Sequence, residues 1–170
     1  MSDPIIIRRA GNDDRVALAD VLVDCVEGGA SVGFMLPLPR ERAEAFWQNA
    51  LADSERTVFV AEEPDSGTIV GTVQVVLTAP ENQPHRADIS KMLVHRTARR
   101  RGVAEALMRA AEAAAREAGK TLLVLDTASD SAERLYDRLG WQRVGVIPDY
   151  ALWPDGGFVD TIIFYKNLAS

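Results

Sequence analysis

Residues 87–95 (ADISKMLVH) form an apolar-rich run that passes through Arg96, Thr97, Ala98, Arg99, Arg100, Arg101 and Gly102 into the alanine-rich stretch VAEALMRAAEAAAREAG. A strand, a tight basic turn and a long helix in immediate succession constrain the chain more than any other stretch. A strand that feeds straight into a helix belongs to a sheet that the helix must cover. The turn also carries chemistry. A helix start leaves backbone N–H groups without partners and concentrates roughly half a positive charge, which suits an anion. Gly102 presents no side chain to an approaching ligand, and Ala104 and Ala106 keep the first turn small. Four arginines within six residues, in a chain of net charge -6, place positive charge where a local anion needs it.

The turn is neither of the common nucleotide loops. It lacks the G-x-x-x-x-G-K-[ST] pattern of the P-loop, which argues against ATP or GTP hydrolysis, and the G-x-G-x-x-G of a dinucleotide fold. Its ingredients are those that hold a pyrophosphate between a strand and a helix, the alternative being a solvated helix start.

The rest of the chain reads as further layers of the same domain. Residues 5–10 (IIIRRA) predict a strand. A helix follows, capped within Asn12–Asp14, with apolar Val16, Leu18, Ala19, Leu22, Val23 and Val26, and it stops at Gly28-Gly29. The loop ASVGFMLPLP leads to a second helix after Pro39, with Phe46, Trp47, Ala50 and Leu51 on one side. Residues 57–63 and 68–79 are β-branched runs joined by PDSG, a hairpin signal. Past the basic turn the long helix stops at Gly119, and residues 122–127 (LLVLDT) read as a nearly continuous apolar strand covered on both faces. Ser129 to Leu139 predicts a helix stopped by Gly140, and residues 141–152 and 158–168 predict two strands joined by WPDGG. The order β-α-α-β-β-β-α-β-α-β-β gives an α/β fold over residues 1–170: a mixed, mostly antiparallel sheet of about seven strands flanked by four helices.

No apolar run approaches the ~20 residues of a membrane span, and the N-terminus has no secretory pattern, so a cytoplasmic protein without a membrane partner is expected. A single cysteine, Cys25, leaves no internal disulfide and no thiol-rich metal site; it reads as a small core residue. No metal-ligand constellation is present. Residues 91–109 hold Lys91, Arg96, Arg99, Arg100, Arg101 and Arg109 against Glu105, but the charges gather at one turn without interleaved aromatics, so a nucleic-acid partner is not expected.

Arg99-x-x-Gly102-x-Ala104 matches the [Q/R]-x-x-G-x-[G/A] pattern of the GNAT superfamily of acyl-CoA N-acetyltransferases, and AERLYDRLGWQRVG resembles that family's second signature. Within the superfamily, GGASVGFM at 28–35, RADISKMLV at 86–94, LDT at 125–127 and RVGVIPDYALWPDG at 143–156 resemble the tabtoxin-resistance acetyltransferases, which inactivate a β-lactam toxin. The resemblance implies an acetyl-CoA-dependent N-acetyltransferase that acts by direct transfer in a ternary complex, without a metal. The implied acceptor is a primary amine of a small molecule, in the class of antibiotics, toxins and amino-acid-like compounds. Acetylation of a protein N-terminus or lysine, and non-catalytic acyl-CoA sensing, stay open as alternatives, as do monomer and homodimer.

The resemblance also implies roles. The pyrophosphate would sit on the amides of Arg100, Arg101, Gly102, Val103 and Ala104, with Arg99 and Arg101 assisting and one of them reaching the ribose 3′-phosphate. The pantetheine arm would bond along Met92, Leu93 and Val94. Tyr136 would lie against the cofactor sulfur and protonate the leaving thiolate. The family's asparagine after the fifth strand is replaced within TASDS by Ser129, Asp130 or Ser131, of which Ser131 is assigned to the cofactor. Asp88 and Asp126 are the carboxylates for a base: confined together in one cleft, one of them would rise toward the range suited to proton abstraction. Asp88 stands where the tabtoxin-resistance enzymes have the longer glutamate, so a bridging water fits there better than direct contact. Pairing of Asp88 with Arg86 or Lys91, and capping of the next helix by Asp126, are the structural alternatives. Ser31, Gly33, Phe34, Met35 and Tyr150 are assigned to the acceptor, with Trp47 and Trp153 as further wall candidates.

Overall fold

In the computed structural model, which describes residues 4–169, the predicted element order is realised. The strands are β1 (Ile6–Arg9), β2 (Arg56–Glu62), β3 (Ile69–Leu77), β4 (Arg86–Val94), β5 (Leu122–Thr127), β6 (Gln142–Leu152) and β7 (Phe158–Asn167). The helices are α1 (Arg15–Glu27), α2 (Arg40–Ala52), α3 (Val103–Glu117) and α4 (Asp130–Arg138), with 3-10 turns at Asn12–Asp14 and Arg96–Ala98. One sheet runs in the order β1-β2-β3-β4-β5-β7-β6, and among the described residues β4 against β5 is its only parallel pair.

Two apolar layers sandwich the sheet. On one face α1 and α2 bury Leu18, Leu22, Val26 and Trp47 against Val58, Val60 and Leu93. On the other, α3 and α4 bury Val103, Leu107, Met108, Leu135 and Tyr136 against Val73, Val75, Ile89, Leu123 and Phe164. Each fully buried leucine among these contributes about 1.5–3 kcal/mol. Gly71 on β3 sets how closely α3 approaches. A methyl group there would lie 2.9 Å from Val103 Cγ1, 3.1 Å from Leu107 Cδ1 and 3.1 Å from the Leu93 carbonyl oxygen. A buried cluster ties α3 to the far strands: Glu112 accepts from Trp141 Nε1 at 3.1 Å and pairs with Lys166 at 2.8 Å, and Lys166 also donates to the Leu139 carbonyl at 2.7 Å.

The β5 expectation is corrected. Only Leu123 and Leu125 are buried, and Asp126 is exposed. The strand alternates because α3 and α4 cover one of its faces, whereas α1 and α2 lie over β2 to β4. The open face of β5 is where the sheet divides. The β4–β5 pairing covers Arg86, Ala87 and Asp88 against Leu122, Leu123 and Val124, and beyond Asp88 the strands part.

Candidate active site

The basic turn sits at the mouth of that division. Arg100 (φ 61) and Gly102 (φ 76) both occupy the left-handed region, and Gly102 caps α3. A side chain at Gly102 would meet nothing within 4 Å, so it is the backbone angle that favours glycine, and the space above it is open. Among the described residues, the amides of Gly102, Val103, Ala104 and Glu105 make no hydrogen bond; the first paired amide of the turn is Ala106, to the Gly102 carbonyl at 3.1 Å. Successive free amides at a helix start form an anion-binding concavity.

The arginines divide into two groups. Arg96 pairs with Asp24 at 2.9 Å, Arg101 with Glu63 at 2.7 Å and Arg109 with Glu105 at 2.7 Å, so much of the local charge is already matched. Arg99 and Arg100 have no carboxylate partner among the described residues. Of the two arginines assigned to the phosphates, Arg101 is held by Glu63, whereas Arg99, with no such carboxylate, lies beside the Cys25 thiol.

Below the turn, β4 offers an unused edge. Past Asp88 it pairs only with β3, so the β5-facing edge of Ser90 to Val94 is open. The ladder also slips by one residue: Gln74 opposes Ser90, whereas Thr72 opposes Leu93. The extra residue is Lys91, at φ 50. Such a bulge leaves a peptide out of the ladder and re-aims its side chain. The segment assigned to the pantetheine arm, Met92 to Val94, thus begins at a bulge beside an unpaired edge.

Strand register decides which side chains share the acceptor side. Val58 belongs to the layer under α1 and α2, and Gln74 opposes Val58. Ser90 opposes Gln74, and Asp88 opposes both Val76 and Val124. Alternation then puts Asp126, two residues beyond Val124, on the same face. Asp88 and Asp126 are accordingly on one side of the sheet, but they are not confined together away from water. The Asp88 side chain is 44% exposed and pairs with Arg86 Nη1 at 2.5 Å, the structural alternative foreseen for it. Asp126 accepts from Thr161 Oγ1 at 2.7 Å and is otherwise open to the cleft.

Lys91 enters the same space. Its Nζ lies over the Phe46 ring, 5.4 Å from the centroid, and 3.8 Å from where a side chain on Gly33 (φ 92) would begin. Burial, followed by the neighbouring Arg56 charge, holds the Lys91 ammonium below its ordinary range, and Asp126 opposes that shift. Phe34 stacks edge-on against Phe46 at 5.3 Å, so the 28–39 loop packs onto α2. The amide of Leu36 donates to the Pro154 carbonyl at 2.9 Å, which joins this loop to the β6–β7 hairpin.

Of the residues assigned to the acceptor, Gly33 and Phe34 therefore line the Lys91 space. Ser31 is half-buried in the same loop, and Met35 is 40% exposed beside Leu36. Tyr150 is 56% exposed in a stretch of β6 that carries two extra residues between Ile147 and Ala151, and it has no aromatic partner among the described residues. Trp47 is fully buried and is core, not wall. Lys91 and Arg56 escaped the assignment. The one signal for Lys91 was a cation inside an apolar strand.

Tyr136 stands on α4, whose start is fixed by Ser129: its hydroxyl accepts from the Ala132 amide at 3.3 Å and lies 2.8 Å from Ser131 Oγ. The Tyr136 ring is 4% exposed, packed against Trp141 at 5.9 Å and Phe164 at 5.6 Å. Its hydroxyl finds no hydrogen-bond partner in the described chain. Burial first, and then the Asp126 carboxylate, push its pKa up, so the phenol keeps its proton. A phenol held in this form offers an O–H donor to a developing anion. The Cys25 thiol cannot serve as a nucleophile at neutral pH: burial raises its pKa to about 11. Among the described residues no cluster could hold a metal ion, and no helix is long and apolar enough to cross a membrane.

A family model described as the acetyltransferase (GNAT) family matches residues 21–141. The chain belongs to the GNAT acetyltransferase family. As an N-acetyltransferase of this family it is 32% identical, over 148 residues, to an uncharacterized N-acetyltransferase in the hisH–hisA intergenic region of Azospirillum brasilense, spanning 84% of this chain and 87% of that one. Its fold superposes on a GNAT phosphinothricin acetyltransferase from Sinorhizobium meliloti in complex with acetyl-CoA, with a TM-score of 0.83, 16% identity and coverage of 96% and 88%. A ribosomal-protein-alanine N-acetyltransferase from Brucella melitensis superposes with a TM-score of 0.81, 25% identity and coverage of 96% and 99%. The seven-stranded sheet with four helices, divided between β4 and β5, is the fold this acetyltransferase shares with them.

Proposed function

We propose that this acetyltransferase passes the acetyl group of acetyl-CoA directly to the primary amine of a small molecule, both held in one ternary complex. The reading rests on one juxtaposition: the free amides of Gly102 to Glu105 open onto the same division of the sheet as the unpaired edge of β4. The amides and Arg99 fit a pyrophosphate, and the β4 edge at Met92, Leu93 and Val94 fits an extended arm carrying amide groups. When bound, acetyl-CoA supplies the activated acetyl thioester. The chain supplies the rest. A backbone N–H at the β4 bulge is placed to meet negative charge on the acetyl oxygen; donors of that kind are typically worth about 3–4 kcal/mol of barrier. Tyr136 holds the proton that the leaving sulfur requires. Asp126, exposed in the cleft, takes the amine's proton through a water, with Asp88 more remote because Arg86 holds it. Ser131, at the α4 start, completes the cofactor side.

Support for a small acceptor comes from the surroundings of Lys91, whose Nζ lies over the Phe46 ring and beside Gly33 of the 28–39 loop, a loop that a backbone hydrogen bond ties to the β6–β7 hairpin. The local likeness to tabtoxin-resistance enzymes extends this reading to amino-acid-like toxins and a role in resistance. A cytoplasmic location and a monomer or homodimer complete it. The Brucella relative's name favours a second reading, acetylation of a protein N-terminal alanine. Thiol release from acetyl-CoA, followed over a panel of small amines and alanine-initiated peptides with mass spectrometry of the products, separates the two. Acetylated small amines support the first reading. Acetylated peptides alone establish the second, and release with neither acceptor overturns both.

A further inference from the structure

The acceptor side of the cleft carries a surplus of donors. The Lys91 ammonium is half-buried on a bulge, over an aromatic ring, with neither a hydrogen bond nor a carboxylate partner among the described residues. Arg56, on β2, is one of its charged neighbours. Arg56 Nη1 donates to Gln74 Oε1 at 2.9 Å, and its Nε pairs with Asp53 at 3.0 Å. Gln74 is fully buried on β3, opposite Ser90 and one residue from the bulge, and its Nε2 has no acceptor. The Arg56 donor fixes which end of that amide is oxygen, so the unsatisfied atom is a donor.

An unmatched cation at the bulge and an unmatched N–H group on the strand paired with it are costly unless something supplies acceptors. Asp126, also felt by Lys91, lies toward the acetyl-transfer side of the same cleft and is committed to Thr161. The arrangement therefore has two poles: a carboxylate near Tyr136, suited to an ammonium or amine, and the Lys91 cation beneath the 28–39 loop, suited to an anion. Gly33 contributes by its missing side chain, since one there would begin 3.8 Å from Lys91 Nζ and crowd any group on it.

We propose that Lys91, in the company of Arg56, is the receptor for a carboxylate on the acceptor, so that the acceptor is an amino acid or a compound of amino-acid type. This rests on the acetyl-transfer reading above and adds a residue that determines specificity. The carboxylate binds Lys91 by a charge-assisted hydrogen bond, and the acceptor's amine is thereby turned toward Asp126 and Tyr136.

The test pairs each free amino acid with its carboxamide as acceptor, measuring kcat/KM by thiol release in the wild type, Lys91→Met and Lys91→Arg. The wild type prefers the best free acid over its amide by roughly tenfold or more, as a charged hydrogen bond warrants. In Lys91→Met the preference falls to within about threefold, mainly through KM, and Lys91→Arg restores part of it. A second readout needs no turnover. Calorimetric titration of the N-acetylated acid and its N-acetylated amide shows the acid binding more tightly to the wild type, with the difference lost in Lys91→Met. Acetyl-CoA affinity, measured on each variant, reports that the fold and cofactor site are intact. A wild type that acetylates amides as well as acids, or a Lys91→Met that keeps the preference, overturns the Lys91 assignment and leaves acetyl transfer standing. Loss of acetyl-CoA binding by the wild type would instead strike the acetyl-transfer reading itself.

Discussion

The Tyr136 hydroxyl contributes no hydrogen bond to the fold, yet burial keeps it protonated. Tyr136→Phe preserves the ring that packs on Trp141 and Phe164 and removes only the proton donor. Its kcat should fall by about 10²-fold or more, the usual worth of a positioned acid, with acetyl-CoA affinity unchanged by calorimetry. Unchanged turnover would remove Tyr136 from the chemistry. Lys91 makes a separate prediction about stability. Its folded pKa lies below the unfolded value of about 10.4 because burial disfavours the charge. Unfolding therefore takes up a proton between those two values. The penalty is full below the folded pKa and fades as pH rises toward the unfolded one. Lys91→Met should consequently melt higher than the wild type at neutral pH, at about 2–4 °C per kcal/mol for a chain of this size. The gap should narrow as pH approaches about 10, and a melting temperature lowered by the substitution would contradict it.

Among the elements, the α3 start depends on Gly71 as much as on its own cap. Gly71→Ala would set a methyl group 3.1 Å from the Leu93 carbonyl oxygen and 2.9 Å from Val103, one residue into the helix. Side chains can yield, but the backbone oxygen of β4 has to shift. Overpacking of this kind costs typically about 1–3 kcal/mol. Because Leu93 lies on the edge proposed for the cofactor and Val103 in the amide turn, acetyl-CoA affinity should fall together with the denaturation midpoint. A loss of stability with affinity intact would show that the turn does not rely on this contact. The same elements show what a sequence reveals. The basic turn was legible because its ingredients, Gly102, the small first-turn residues and the long helix, are contiguous. So were the stops at Gly119 and Gly140 and a cap among Ser129, Asp130 and Ser131, which the structure gives to Ser129. The bulge at Lys91 was not legible, since an extra residue in one strand is defined only by its register against Gln74 and Thr72 on another. For the same reason Asp126 read as a carboxylate in a covered strand: nothing local to LLVLDT reveals that α1 and α2 stop short of β5. Asp88 could be given Arg86 as an alternative partner because the two are neighbours on one face of one strand, but the choice between that partner and the cleft required the fold.

For the whole molecule, charge and function separate cleanly. The chain is acidic, and three arginines of the 91–109 segment are matched: Arg96 by Asp24 on α1, Arg101 by Glu63 just past β2, and Arg109 by Glu105 within α3. Two groups of unmatched donors bear on the proposed site, the amides at the head of α3 and the Lys91 ammonium with Gln74 Nε2 near the β4 bulge. The central claim is that the first of these holds acetyl-CoA. Calorimetric titration of acetyl-CoA into the wild type and Gly102→Glu tests it most directly, because that substitution sets a carboxylate where the pyrophosphate is expected and strains a backbone at φ 76. The account predicts binding at or below roughly tens of micromolar to the wild type and none to a folded Gly102→Glu. A wild type that does not bind, or a variant that binds equally well, would contradict it.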